Sequence, residues 1–253
     1  VLGQEAQQKE IEAVVKRFDG DMSRVVLEVE KLINRWFLST NVTSLSSLEF
    51  NVYFEKILNE SGYYALVNKM VNEDFNKLFP MMQEGMKLGG LFSTYTEEDL
   101  TRIMALKSVE INKFSVLAST AGTTLRDNLY KYTLSNFTIE DMAKQIASDF
   151  EGTNLARHST TLANTVVGEM QQSSLDLLAE GLDGVYLYVG VNDGVTRDFC
   201  KCVLKEKAYY NDKQKNKIAS DPKRKYNCRH RLRFVTEEYA KEQGYIKSNG
   251  AGC

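Results

Sequence analysis

Two prolines in 253 residues, Pro80 and Pro222, set the first constraint on this chain. Proline removes a backbone donor and its ring blocks the preceding helical turn, so a chain almost without it can carry long helices. The apolar pattern agrees. Ile11, Val14, Val15, Phe18, Val25, Val29, Leu32, Ile33 and Trp36 recur at spacings of three and four, which places them on one buried helical face. Gly20 is a candidate division of that stretch into two helices. A Ser/Thr/Asn-rich turn follows from Ser39 to Ser47, then a helix over Leu48–Leu58 and a break at Gly62. A further helix runs from Tyr63 to Phe79, where Pro80 ends or kinks it. Gly85, Gly89 and Gly90 read as a loop. No strand precedes that loop and no Gly-Lys-Ser/Thr follows it, so it is not a phosphate-binding loop.

Three later helices announce themselves by hydroxyl caps. Thr96-Glu-Glu-Asp99 opens a long helix to about Tyr132, with Gly122 as a candidate irregularity. A capping hydroxyl satisfies a free backbone N–H, and acids in the first turn suit the helix dipole. Thr138 caps a helix to about Phe150, and Thr153 is expected to cap one from Asn154 to about Leu178. At Gly181 the period changes. Val185, Leu187 and Val189 alternate with Tyr186 and Tyr188, the pattern of a strand, and Arg231-Leu-Arg-Phe-Val235 reads as its partner. Thr236 then caps a short helix. The expected fold is therefore mostly α with a small α+β C-terminal module. Long helices fill residues 1–137. Short antiparallel strands surround a Cys/His loop in residues 138–247, and 248–253 form a tail too small and polar to pack.

Composition excludes little else. A hydrophobic content of 43% and a charged content of 26% are ordinary for a globular protein, and no window is apolar enough for a membrane span. The charged, periodic N-terminus is not a secretory signal, which points to a reducing compartment. The net charge of −2 conceals an asymmetry. Residues 201–233 hold 12 Lys and Arg against three acids, a local net of +9 on an otherwise acidic chain. Such a segment suits phosphate backbone or an acidic protein surface; equally it can be a solvated loop. Its candidate DNA contacts are Lys213, Lys215, Lys217, Lys223, Arg224, Lys225, Arg229 and Arg231.

Three of the four cysteines and one of the two histidines fall inside or beside that segment. Cys200 and Cys202 form a C-x-C pair; Cys228 and His230 form a C-x-H pair. Thiolates and an imidazole in two close pairs are a donor set for tetrahedral Zn²⁺, and a module with little core gains from such a staple. Plain buried thiols and a Cys200–Cys228 disulfide are the alternatives. The set lacks the acidic residue that a catalytic zinc would use as a base, and the chain shows no Ser/His/Asp set, HExxH or paired-carboxylate motif. No enzyme activity and no small-molecule substrate are expected.

The residues around this cluster carry a resemblance. Arg157 lies in a helix, Ala156-Arg-His-Ser-Thr-Thr161. A strand follows, then Asp193-Gly-Val-Thr196-Arg-Asp-Phe-Cys200, then Lys225-Tyr-Asn-Cys228-Arg-His230 leading into the last strand. In order and spacing this resembles the C-terminal domain of phage minor head proteins, the Mu F-type head morphogenesis family, across about residues 140–240. That family shows D-x-x-T-x-x-x-C and then H-P-N-C-R-C. Here Lys225 and Tyr226 replace the His and Pro, His230 replaces the final Cys, and Cys202 is additional. The resemblance implies a structural virion component at the head interior or near the portal. It would bind portal or major capsid protein, assemble in the host cytoplasm, and act in head assembly or the handling of packaged DNA. The competing expectation is a zinc-stabilised nucleic-acid-binding module outside any virion. Asp193 and Thr196 are expected to order a turn rather than to catalyse.

Overall fold

The computed structural model describes residues 2–40, 45–135, 137–190, 192–224 and 230–249. The chain is mostly helical with one small sheet. In order, the helices are α1 (Leu2–Ser39), α2 (Ser47–Glu60), α3 (Tyr63–Lys69), α4 (Phe79–Leu88), α5 (Glu97–Leu134), α6 (Ile139–Gly152) and α7 (Leu155–Ala179). Strand β1 (Val185–Val189) follows, then α8 (Asp198–Glu206), β2 (Ala208–Tyr210), α9 (Asp212–Ser220), β3 (Arg231–Val235), α10 (Glu237–Glu242) and β4 (Ile246–Lys247).

Several local signals act as their chemistry predicts. The Ser46 hydroxyl accepts from Glu49 N at 3.3 Å while the Glu49 carboxylate accepts from Ser46 N at 2.9 Å, closing a capping box on α2. Thr96 and Asp99 do the same for α5, and Thr138 and Thr236 cap α6 and α10. Others differ. Gly20 does not divide α1, which runs unbroken through it, and a Cβ there would meet nothing within 4 Å. Gly122 causes no irregularity in α5. It makes room, since a Cβ there would lie 2.6 Å from the Phe54 ring. Thr153 closes α6 instead of capping α7, its hydroxyl donating to Phe150 O at 2.6 Å, and Asn154 reverses the chain at φ 50°. Gly85 lies within α4; only Gly89 and Gly90 make the turn. The effect of Pro80 falls upstream. It sits in the first turn of α4, and the chain before it winds as a π segment (Met70–Asp74) and a 3₁₀ turn (Phe75–Leu78). The ring excludes the carbonyl four residues earlier, so an α pattern cannot continue across it.

Two compact units interleave along the chain. One comprises Val1–Glu12, Asn76–Lys107 and Asn164–Cys253; the other comprises Ala13–Phe75 and Ser108–Ala163. The expected boundary at 137/138 falls inside the second. Among the described residues that second unit holds no strand, and it packs around Tyr63, Phe37, Phe50, Phe114 and Phe150, each at most 1% exposed. The Tyr63 hydroxyl donates to Phe114 O and pairs with the Ser159 hydroxyl, both at 3.3 Å, which satisfies a polar atom inside an aromatic core.

The first unit contains the sheet, in the order β3-β1-β2-β4. Strands β1 and β3 are antiparallel in the register Val185↔Val235 to Val189↔Arg231, β1 and β2 are antiparallel, and β2 and β4 are parallel. Both faces are covered. Val185, Leu187, Tyr209 and Val235 pack with Ala240 of α10. Tyr186 alternates to the other side and stacks obliquely on Phe234, ring centroids 4.9 Å apart. The segment between β1 and β3 is not one long loop: it holds α8, β2 and α9. Ser248, expected in an unpacked tail, donates its N–H to Tyr209 O at 3.0 Å.

Candidate functional site at the end of strand β1

The antiparallel register of β1 and β3 determines what can meet. Val189 faces Arg231, so the next residues outward are Gly190 and His230. The chain after β1 carries Asp193, Thr196 and Cys200, and the chain before β3 carries His230. Residues about 30 apart in sequence are thereby brought to one end of the sheet. Gly190 is where they touch: a Cβ there would lie 2.3 Å from His230 Cδ2 and 3.0 Å from its Cα.

Asp193 and Thr196 make the expected turn. The Thr196 hydroxyl accepts from Asp193 N at 2.9 Å and donates to Asp193 Oδ1 at 2.9 Å, while Oδ1 also accepts from Val195 N at 3.1 Å. Thr196 is 5% exposed although it lies in a connection. The turn directs the chain into α8, whose apolar side buries Phe199, Cys200 and Val203. Tyr188 joins the two ends of the motif. Its hydroxyl donates to Cys200 Sγ at 3.3 Å, and its ring stacks on His230, 5.4 Å between centroids and 8° between planes. Cys200 and His230 are both nearly fully buried.

The expected metal ligands thus differ in state. Cys200 is a buried thiol that accepts from the Tyr188 hydroxyl, and His230 stacks on the Tyr188 ring. Cys202, two residues along α8, is exposed and disulfide-bonded. Cys228 lies outside the described residues. A sulfur in a disulfide is not a thiolate donor, so a zinc-loaded chain would be the reduced form of what is seen here. Among the described residues no three His, Cys, Asp or Glu side chains gather as metal ligands, and the expected set of four includes Cys228.

The basic residues separate into two kinds. Lys213 and Lys217 project from α9, a helix with no buried residue, and Lys223 is exposed after it. Two others of the expected DNA-contacting set, Lys215 and Arg231, have partners within the chain. Lys215 Nζ donates to Asp176 at 2.7 Å and lies 4.9 Å over the Tyr186 ring, with its side chain 12% exposed. Arg231 donates through Nε to Gln171 at 3.2 Å and through Nη1 to His230 O at 2.9 Å. Its guanidinium occupies the space beside Gly168, where a Cβ would meet Nη2 at 2.3 Å. Lys225 and Arg229 lie outside the described residues, as does the Arg224 side chain. Arg157 is exposed on α7, in the other compact unit.

Two important residues carried no sequence signal. Strand β3 is an edge, and Gln172 covers it: its Oε1 accepts from Leu232 N and its Nε2 donates to Leu232 O, both at 3.2 Å. Gln171 holds Arg231 beside it. An amide imitating a strand protects an edge that would otherwise invite pairing with another chain. A Gln-Gln pair on a helix gives no hint of this until the strand is placed.

Comparisons with protein-family models, with curated proteins and with solved structures found no match to this chain. No helix among the described residues is long and apolar enough to cross a membrane.

Proposed function

We propose that this chain is a structural, non-enzymatic minor head protein of a tailed phage, associated with portal or capsid protein and in contact with packaged DNA. The observation that carries the reading is the meeting at Tyr188. D-x-x-T-x-x-x-C and the downstream C-x-H are otherwise two short patterns that chance could supply. One tyrosine touching both Cys200 and His230 makes them a single structural feature. The Asp193–Thr196 hydrogen bonds give the first pattern a mechanical role, ordering the chain between β1 and α8.

The DNA contact is narrower than the local charge suggests. Lys213, Lys217 and Lys223 are exposed cations on one segment, able to make sequence-independent contacts to phosphate. Each phosphate neutralised steepens the dependence of log affinity on log salt by about 0.9. Charge-neutralising Lys213→Gln, Lys217→Gln and Lys223→Gln together should flatten that slope by roughly 2 to 3 on duplex DNA. An unchanged slope would remove α9 from the DNA-facing surface.

Zinc belongs to the reduced chain, with Cys200, Cys202, Cys228 and His230 as donors and a structural role. Reducing the protein, adding zinc and removing the excess tests this. Retention of one ion per chain, lost in Cys200→Ser, supports the site; no retained zinc rejects it. The chain's association with a head is tested by quantitative mass spectrometry of purified particles; particles that are complete, infectious and free of the chain would reject it.

A further inference from the structure

The first compact unit contains a cavity of about 660 Å³ whose lining includes none of the cysteines or His230. It is walled by the start of α5, the end of α7 and its connection to β1, and the first turn of α9, with Tyr186 and Phe234 of the sheet. That volume lies within the range of sites for small ligands.

The charges of the lining select the ligand. Four carboxylates, Asp176, Glu180, Asp183 and Asp212, face two cations, Arg102 and Lys215, a net of −2. Both cations are already engaged: Lys215 with Asp176 at 2.7 Å, Arg102 with Glu180 at 2.8 Å and Glu98 at 2.6 Å. Asp183 and Asp212 have no ion pair among the described residues, and Asp212 lies close to the Tyr186 hydroxyl. Helix α7 ends here with no basic side chain in its last turn, so its carbonyl end adds partial negative charge. The wall already seats one ammonium group, since Lys215 Nζ lies both on a carboxylate and over an aromatic face. Ile103, Leu106 and Leu177 supply apolar surface between the polar groups.

We propose that this cavity binds an organic polycation, an aliphatic diamine or polyamine, with its ammonium groups on Asp183 and Asp212 and its methylene stem along Ile103, Leu106 and Leu177. A bare metal dication would use the carboxylates but leave the apolar wall without a role. The site is independent of the head-protein reading and stands or falls without it.

Isothermal titration of the full chain with spermidine, putrescine, 1,4-butanediol and Mg²⁺ tests the site. Spermidine and putrescine bind saturably at one site per chain, and butanediol, with the same stem and no charge, does not. Asp183→Asn and Asp212→Asn, both at exposed positions that leave folding intact by circular dichroism, each weaken amine binding about two- to fivefold. Glu238→Gln, an exposed acid outside the cavity, leaves it unchanged. Absence of saturable amine binding overturns the proposal. So does equal binding of butanediol, binding of Mg²⁺ without amines, or an equal loss in Glu238→Gln.

Discussion

Replacing Gly190 by alanine puts one methyl group where the two halves of the motif meet. The added Cβ would lie 2.3 Å from His230 Cδ2 and 2.8 Å from Cγ, well inside contact distance. Rotating the imidazole relieves those two contacts but not the third, 3.0 Å from His230 Cα, which is backbone at the head of β3. Rotation also ends the parallel stack on Tyr188, an arrangement worth about 0.5–1.5 kcal/mol between aromatic rings. Adding the strain of an overpacked site, about 1–3 kcal/mol, gives a total loss of roughly 1.5–4.5 kcal/mol. Urea unfolding followed by near-ultraviolet circular dichroism measures it, because Tyr188 and its neighbours report on this packing. The matched control is Gly194→Ala, four residues on, where nothing lies within 4 Å. A second readout is the Cys200 thiol, which should react with Ellman's reagent faster once Tyr188 is displaced. If Gly190→Ala unfolds at the same midpoint as Gly194→Ala and Cys200 stays unreactive, the tight meeting of β1 and β3 is wrong.

Three further outcomes follow from single positions. Gly20→Ala should stabilise by about 0.5–1 kcal/mol in thermal or urea unfolding, since the site is mid-helix, exposed and open. Gly122→Ala should destabilise by about 1–3 kcal/mol, because the Phe54 ring fills the space a methyl would take; pairing it with Phe54→Leu should recover part of the loss. Burial pushes the Tyr63 hydroxyl from its usual 10.0 up to about 12. Its stabilising contribution is whole below pH 10, where the phenol is neutral in both states, and is lost as pH rises toward 12, because the unfolded chain ionises first. That shift corresponds to at most about 2–3 kcal/mol. Urea midpoints measured on both sides of pH 10 should fall on the alkaline side, and less steeply in Tyr63→Phe; an equal fall would assign the alkaline loss to other groups.

What could be read in advance was whatever depends on neighbours in sequence. Thr96, Thr138 and Thr236 act within three or four residues, and the alternation of Val185–Val189 states a strand in five. The Asp193–Thr196 turn was legible for the same reason. What could not be read depends on residues far away in sequence. Gly122 signals a break locally, but its role is set by Phe54, 68 residues earlier. The charge of Lys215 and Arg231 suggested a DNA surface, yet Asp176, Gln171 and a gap beside Gly168 draw both inward. Helix α5 departs from the usual rule at several positions. It buries Lys107 and Glu110, at 7% and 2% exposure, while Val109 and Val116 stand more than half exposed. Lys107 is retained by the Asn76 side chain and the Phe79 ring, and Glu110 by Lys113 at 2.8 Å. The short strands β2 and β4, three and two residues long, carry too few positions for alternation to register.

The proposed role of this chain is as a component of a tailed-phage head. Quantitative mass spectrometry of purified particles, produced from the genome that encodes the chain, tests it most directly. The expected result is its peptides in intact heads at low copy relative to the major capsid protein, cross-linked to portal or capsid. Particles that are complete, infectious and free of this chain would contradict it.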